Sequence, residues 1–599
     1  MNARRLLLRG YGPLAGLLVV LLCLSFVVPS RPFRSGPSPL AALTNVNTGV
    51  APTVPEIDPG TVDEVAGGEP SEAPVTEVSA TVPSPGQIPA TGPTATTARG
   101  GATPATRPGA AVAPGTAPTT AGQPPPGALP PVTTASNCAG GPLQDGNTAY
   151  SPPCLRWNRT DNGGATNRGV TGNEIVVAYR ETEMSSGDSD RDSKFAQEAK
   201  KRGLTDTPED RARSRDALLE YFNSRYELYG RKVRLVSYKG RGSTLKEFGG
   251  AGQEEANADA LKVAQEIGAF ADLSATTQPY LDALVRQKVV SFGGIHLPAE
   301  NYQARAPYAW GQLIDCTTLL QGATDLISKR FTPGTPAARA GSAAMRSQPR
   351  TYGLLVPDDP VYSQCIDGAR GRLKAAGVSF AKEIRYGLDF SKMQQEAPNI
   401  AAQLKQAGVT TVVLFTDPAL PYFLTGAATQ QDYWPEWLVT GTVLTDVDVV
   451  GQFYDQDQWQ FAAGQSFLSD LYQGNESESY RAYKAIRSDE PAITRDLYYF
   501  PLLMLFIGLQ MAGPNLTPET FQAGMFSYPP RNGSLGRWSF APGDYTAVDD
   551  AREIYYDRNA LSAFNGRAGR YITLHGGRRF RGASWPAGVA VPVPPPVAP

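Results

Sequence analysis

Histidine is nearly missing from this chain: 599 residues hold only His296 and His575. Imidazole-based metal sites and histidine general bases need more than this, and neither H-E-x-x-H nor G-x-S-x-G occurs. The five cysteines include no C-x-x-C, which removes thiolate metal sites. No metal, no cofactor and no catalytic residue is therefore expected. Charge is also scarce, at 19% of residues with a net −2, so nothing draws the chain to nucleic acid. Polarity rests instead on Thr, Ser, Gln and Asn, which suits an extracytoplasmic surface. No aromatic residue falls between Phe33 and Tyr150, so that stretch has little to bury. Long apolar runs are limited to Leu14–Val28, because Tyr498–Met511 is too short and too interrupted for a membrane span.

These absences divide the chain. Residues 1–34 read as a signal or membrane anchor, with Arg4, Arg5 and Arg9 ahead of the apolar run. No A-x-A cleavage site follows, which favours a retained anchor over secretion. Cys23 is not a lipidation site, since Leu22 precedes it where a small residue is needed. Residues 35–136 form a disordered Pro, Thr, Ala and Gly-rich linker that reaches on the order of 55 Å as a coil and ~300 Å if fully extended. Residues 137–587 are the globular part, and 588–599 a loose Pro-rich tail. Outside the anchor stand Cys138, Cys154, Cys316 and Cys365. Cys138 with Cys154 and Cys316 with Cys365 are the natural disulfide candidates, but three connectivities are open.

The globular part is organised around Ala251–Leu297. Ala256, Ala260, Ala264 and Ile267 recur at helical spacing until Gly268, and Phe270–Leu273 reads as a strand. Thr276 or Thr277 can cap the next helix with Pro279 in its first turn, and Val289–Phe292 is a second strand ending in Gly293-Gly294. A hydroxyl-bearing helix start at a strand's C-terminal end is where open parallel sheets bind ligands, although an ordinary capped helix has the same pattern.

The stretch ANADALKVAQEIGAFADLSATTQPYLDALVRQKVVSFGG, from Ala256 to Gly294, resembles the first-lobe core of type I periplasmic solute-binding proteins, the leucine-binding family that supplies ABC importers. RGVTGNEIVVAY, Arg168–Tyr179, is similar to the opening strand of that family. The resemblance implies an α/β fold of two doubly wound lobes joined by a multi-crossover hinge. It also implies that Thr276, Thr277, Gly293 and Gly294 hold a ligand's carboxylate, and that Tyr362 heads a second-lobe helix at the site. The sequence departs from amino-acid binders at Thr442, where that family presents an acid to the ligand's ammonium; Asp417 could supply the charge instead.

Strand and helix alternate from Glu174 onward. The expected first lobe spans about 168–330, with a long polar insertion at Glu181–Thr207; the second spans about 350–444, and the chain returns to the first after 445. Strand ends facing the cleft add Glu181 and His296 to the candidate ligand contacts, with Asp417 and Thr442 on the other side. The bland readings are that Asp358-Asp359 and Asp417 are turns and helix caps, that Thr276-Thr277 only cap, and that His296 sits at a hinge edge. Function reads as capture of a small polar solute, an amino acid or amide among the candidates, for an ABC permease at the outer face of the membrane. Two rivals stand: a membrane-anchored sensor or adhesion ectodomain, and a cell-wall hydrolase using a carboxylate pair such as Asp358 and Asp417.

Overall fold

The computed structural model describes residues 138, 141–155, 157, 161–182, 206–248, 251–388, 390–468, 477–562, 565–587 and 591–598. They all fall in one unit of the chain; the other, Ser30–Gln123, lies outside the described residues. So do the expected membrane segment, the linker and most of the polar insertion before Thr207. Among the described residues no helix is long and apolar enough to cross a membrane.

Local chemistry sets most element starts. β1 (Glu174–Glu181) leads to α1 (Pro208–Arg225), which Thr207 opens with a capping box to Asp210 and Pro208 in the first turn. β2 (Lys232–Lys239) is followed by α2 (Thr244–Phe248) and α3 (Gln253–Leu261), which runs on through a wider π turn to Gly268 at φ +66°. β3 (Ala271–Ala275), α4 (Gln278–Arg286), β4 (Val290–Gly293) and a short β5 (Ala309–Trp310) complete the first sheet. Its order is β2-β1-β3-β4-β5, parallel throughout.

The second sheet repeats that order. α5 (Cys316–Arg330) precedes β6 (Tyr352–Pro357), α6 (Pro360–Ala375), β7 (Phe380–Tyr386), α7 (Phe390–Gln406), β8 (Thr411–Leu414), α8 (Ala419–Gln430), β9 (Glu436–Val439) and β10 (Ala462–Ser466). These strands lie in order β7-β6-β8-β9-β10, all parallel. β6, β8, β9 and β10 are buried at every residue, as expected of strands covered on both faces.

The chain then divides its remaining elements. α9 (Glu478–Lys484) and α10 (Asp496–Met511) pack on α1 of the first lobe, with α11 (Pro518–Ser527) against α10. Phe506 of α10 stacks on Phe222 of α1 at 5.3 Å, so the apolar run is core. A hairpin, β11 (Arg531–Gly533) and β12 (Gly536–Trp538), precedes the last crossing. β13 (Ala551–Leu561) then pairs antiparallel with β10, followed by β14 (Ala568–Thr573) and β15 (Arg579–Phe580) on β13. The fold is therefore α/β, with an all-parallel first sheet and a second sheet made mixed by β13–β15, and three expectations change. Residues after 445 do not simply return to the first lobe, because β10 and β13–β15 extend the second sheet. α5 packs on α6 and β10, which moves 316–330 to the second lobe. The Pro-rich end is not loose over Val591–Ala598: Arg339 donates to the Pro592 carbonyl, Arg346 to that of Pro594 at 2.6 Å, and Val597 N–H to Gly341 O at 2.9 Å.

Residues 311–315 and 539–550 carry the chain between the two lobes, and a third crossing falls between Leu468 and Ser477, where 469–476 lie outside the described residues. Two of these crossings pair with each other: Gly311 N–H donates to Tyr545 O and Ala547 N–H to Gly311 O, both at 2.9 Å. The disulfides are Cys138–Cys154 and Cys316–Cys365, the latter tying the start of α5 to α6.

Candidate functional site

A cavity of about 260 Å³ lies between the two lobes. Every side chain lining it follows the C-terminal end of a strand or sits on the helix that the strand feeds. The first lobe contributes Glu247 and Gln253 after β2, Thr276, Gln278 and Asp282 after β3, and Ile295, His296 and Leu297 after β4. The second contributes Asp359, Val361 and Tyr362 after β6, Leu388 after β7, Phe415 and Asp417 after β8, and Thr442 and Val443 after β9. Open parallel sheets place ligands in this position because helix starts and unpaired backbone groups converge there.

The first-lobe wall is braced from behind by a buried ion pair. Arg180, at the end of β1, holds both oxygens of Glu247 at 2.8 Å and Asp259 at 3.3 Å, with its guanidinium 3.5 Å from the centre of the Tyr280 ring. Only glycine fits at 242, since a Cβ there would lie 2.3 Å from Glu247 Oε1. Thr277 opens α4, but its hydroxyl donates to Glu247 and accepts no N–H from the helix. Beneath it the Asp272 carboxyl accepts from Ser274 and Tyr280, and burial raises its pKa.

His296 joins the two lobes. It sits at φ +52°, with Nδ1 against Ile314 O at 3.0 Å and Nε2 accepting from Val443 N–H at 3.2 Å. Both ring nitrogens are engaged in a neutral Nδ1–H tautomer, and burial pushes the pKa down to about 4. On the second-lobe wall, Asp359 caps α6 through Oδ1, taking the N–H groups of Val361 at 2.9 Å and Tyr362 at 3.4 Å. Asp417 accepts from Ala419 N–H at 2.6 Å and Leu420 N–H at 3.2 Å, and from the Tyr386 hydroxyl at 2.5 Å. Burial raises both carboxyl pKa values. The Tyr362 and Phe415 rings meet edge to face at 5.4 Å.

Of the residues singled out in the sequence, Thr276, His296, Tyr362, Asp417 and Thr442 line the cavity. Five do not reach it as expected. Glu181 instead pairs with Arg215 at 2.9 Å. Gly293 and Gly294 pack against the end of β3: a Cβ at Gly293 would lie 1.9 Å from Ala275 O, and Gly294 N–H donates to that carbonyl. Thr277 is fully buried behind the wall. Asp358 is exposed and outside the cavity, so it forms no catalytic pair there with Asp417. Glu247 was missed, although the same strand-end rule applied to β2 points to residues 240–248. Leu297, Leu388 and Val443 carry no sequence signal beyond being apolar.

A family model described as periplasmic binding protein matches residues 212–556. No curated protein matches the chain. Among solved structures, one similar chain is a solute-binding protein of an ABC transporter from Rhodopseudomonas palustris BisB5 in complex with 3,4-dihydroxybenzoic acid. It is 12% identical, with 68% of this chain and 98% of that one covered and a TM-score of 0.47. An ABC transporter substrate-binding protein from Aeropyrum pernix is 12% identical over 68% and 96%, with a TM-score of 0.49. A branched-chain amino acid ABC transporter ligand-binding protein from Burkholderia xenovorans LB400 is 12% identical over 68% and 96%, with a TM-score of 0.47. With the family match spanning more than half of its residues and the cavity at the strand ends of two like-ordered sheets, this chain belongs to the periplasmic binding protein family.

Proposed function

We propose that this protein captures a small solute between its two lobes, outside the cytoplasm, and hands it to an ABC permease. One observation carries the reading: a cavity lined from the strand ends of both lobes, which are joined by the paired crossings at 311–315 and 539–550 about which they can close. Thr276, Tyr362, Asp417 and Thr442 are assigned to ligand contact, and His296 to the hinge edge. The N-terminal apolar run is assigned to membrane anchoring and the Pro and Thr-rich stretch to a tether. The Asp358 and Asp417 pair gives a hydrolase no support, because Asp358 lies outside the cavity.

The test is a thermal-shift screen of the purified full chain against small solutes. A ligand at a hundredfold its Kd stabilises by about 2.7 kcal/mol, and Val361→Trp, which fills the cavity, abolishes the shift. Turnover of peptidoglycan or ester substrates, lost on changing Asp417, refutes the reading.

A further inference from the structure

We propose that the solute is an organic cation, a protonated amine on an apolar body, with its positive end toward Asp359 and Asp417 and its carbon skeleton against Tyr362, Phe415, Leu388 and Val443. This rests on the solute-binding reading above and names the ligand class.

The cavity offers an anion no counter-charge. Among the described lining residues none is Lys or Arg. His296 is neutral with both ring nitrogens engaged. Arg180 lies behind Glu247 with both terminal nitrogens bound. Of the two hydroxyls at the α4 start that a ligand carboxylate would use, that of Thr277 already donates to the protein's own Glu247, which leaves only the uncharged Thr276 on the cavity. A carboxylate ligand would therefore lose its hydration without gaining an ionic partner, which is unfavourable in an enclosed site.

Four carboxylates line the cavity, and they are not alike. Glu247 is neutralised by Arg180 and Asp282 by Arg305 at 2.5 Å. Among the described residues no ion pair reaches Asp359 or Asp417, which are held only by backbone N–H groups and the Tyr386 hydroxyl. Only Oδ1 of Asp359 is used in its cap. Two uncompensated carboxylates thus flank the Tyr362 and Phe415 rings in an otherwise apolar wall. Ring faces and carboxylates both attract a cation, and Leu388 and Val443 supply the surface for its carbon body.

The experiment titrates the full chain calorimetrically with three probes that share one body: 2-phenylethylamine, 2-phenylethanol and phenylacetate. The amine should bind at least about tenfold more tightly than the alcohol, and phenylacetate more weakly still. Asp359→Asn keeps a helix-capping side chain and should weaken the amine about tenfold while leaving the alcohol unchanged. Tyr362→Leu, which leaves that cap alone, should weaken the amine more than the alcohol. Val361→Trp should abolish all binding. If phenylacetate or the alcohol binds as tightly as the amine, and Val361→Trp removes that binding, the cleft reading stands and the cation inference falls. If the amine binds unaffected by Val361→Trp, its site is elsewhere and both fall. Failure of the amine to bind, or equal amine binding by Asp359→Asn, overturns the inference alone.

Discussion

Replacing Glu247 by leucine removes both oxygens that hold the Arg180 guanidinium and the acceptor of the Thr277 hydroxyl. Arg180 would keep only Asp259, at 3.3 Å, and the face of Tyr280. Its side chain is 1% exposed and that of Glu247 0%, so water cannot replace the lost partner. Burial by itself pulls the Arg180 pKa down, but the hydrogen bonds it donates to Glu247 and the charge of that carboxylate help to offset this, and the pKa stands above the ordinary value. Breaking a buried pair by removing one member costs about 3–5 kcal/mol. Unfolding entropy of about 2.1 cal/mol/K per residue over roughly 450 folded residues makes 1 kcal/mol worth about 1 °C, so Tm should fall by about 3–5 °C. Arg180→Leu with Glu247→Leu removes both charges and should recover most of that loss, since replacing a buried pair with apolar residues is often neutral. Asp259 would still accept from the N–H groups of Arg241 and Gly242. Urea and thermal unfolding of the parent, both single variants and the double variant close the cycle, with an expected coupling of at least about 2 kcal/mol. A Glu247→Leu loss below about 1 kcal/mol, or single losses that simply add, would refute the claim that this pair braces the wall.

Two further outcomes follow from buried groups. His296 titrates at about 4 in the folded chain, against 6.5 for the free side chain. The unfolded chain therefore takes up a proton first, and this group's contribution, complete above about pH 6.5, falls by up to about 1.4 kcal/mol per unit as pH drops toward 4. Thermal unfolding from pH 7.5 to 4 should show a shallower decline for His296→Leu than for the parent; parallel curves would disprove the assignment. Truncation after Ala587 should leave Arg339, which is buried, without the Pro592 carbonyl, and Arg346 without that of Pro594. A loss of about 2–4 kcal/mol, read as about 2–4 °C in Tm, is expected, and an unchanged Tm would mean that the tail contributes nothing.

What the sequence by itself determined is local. Thr207-Pro208 and Asp359-Pro360 set their helix starts, because a cap needs one side-chain oxygen and the next two or three N–H groups. Strand and helix alternation was legible wherever both faces of a strand are covered, as at Tyr352–Pro357, and it led to the C-terminal ends at Thr276, Tyr362, Asp417 and Thr442. Tertiary structure decided what depends on distant partners. A buried apolar strand carries no mark of which sheet it joins, so Ala462–Ser466 and Ala551–Leu561 could be assigned only by their pairing. Gly293 looked like an open backbone for a ligand and is instead where β4 presses on β3. Val591–Ala598 has no apolar periodicity to predict docking; its carbonyls accept from Arg339 and Arg346, some 250 residues away, and these bonds hold it. Thr277 looked like an anion's hydroxyl, and Glu247, distant in sequence and adjacent in space, had already taken it. Charge balance in a cavity depends on which side chains meet, and folding alone brings those together.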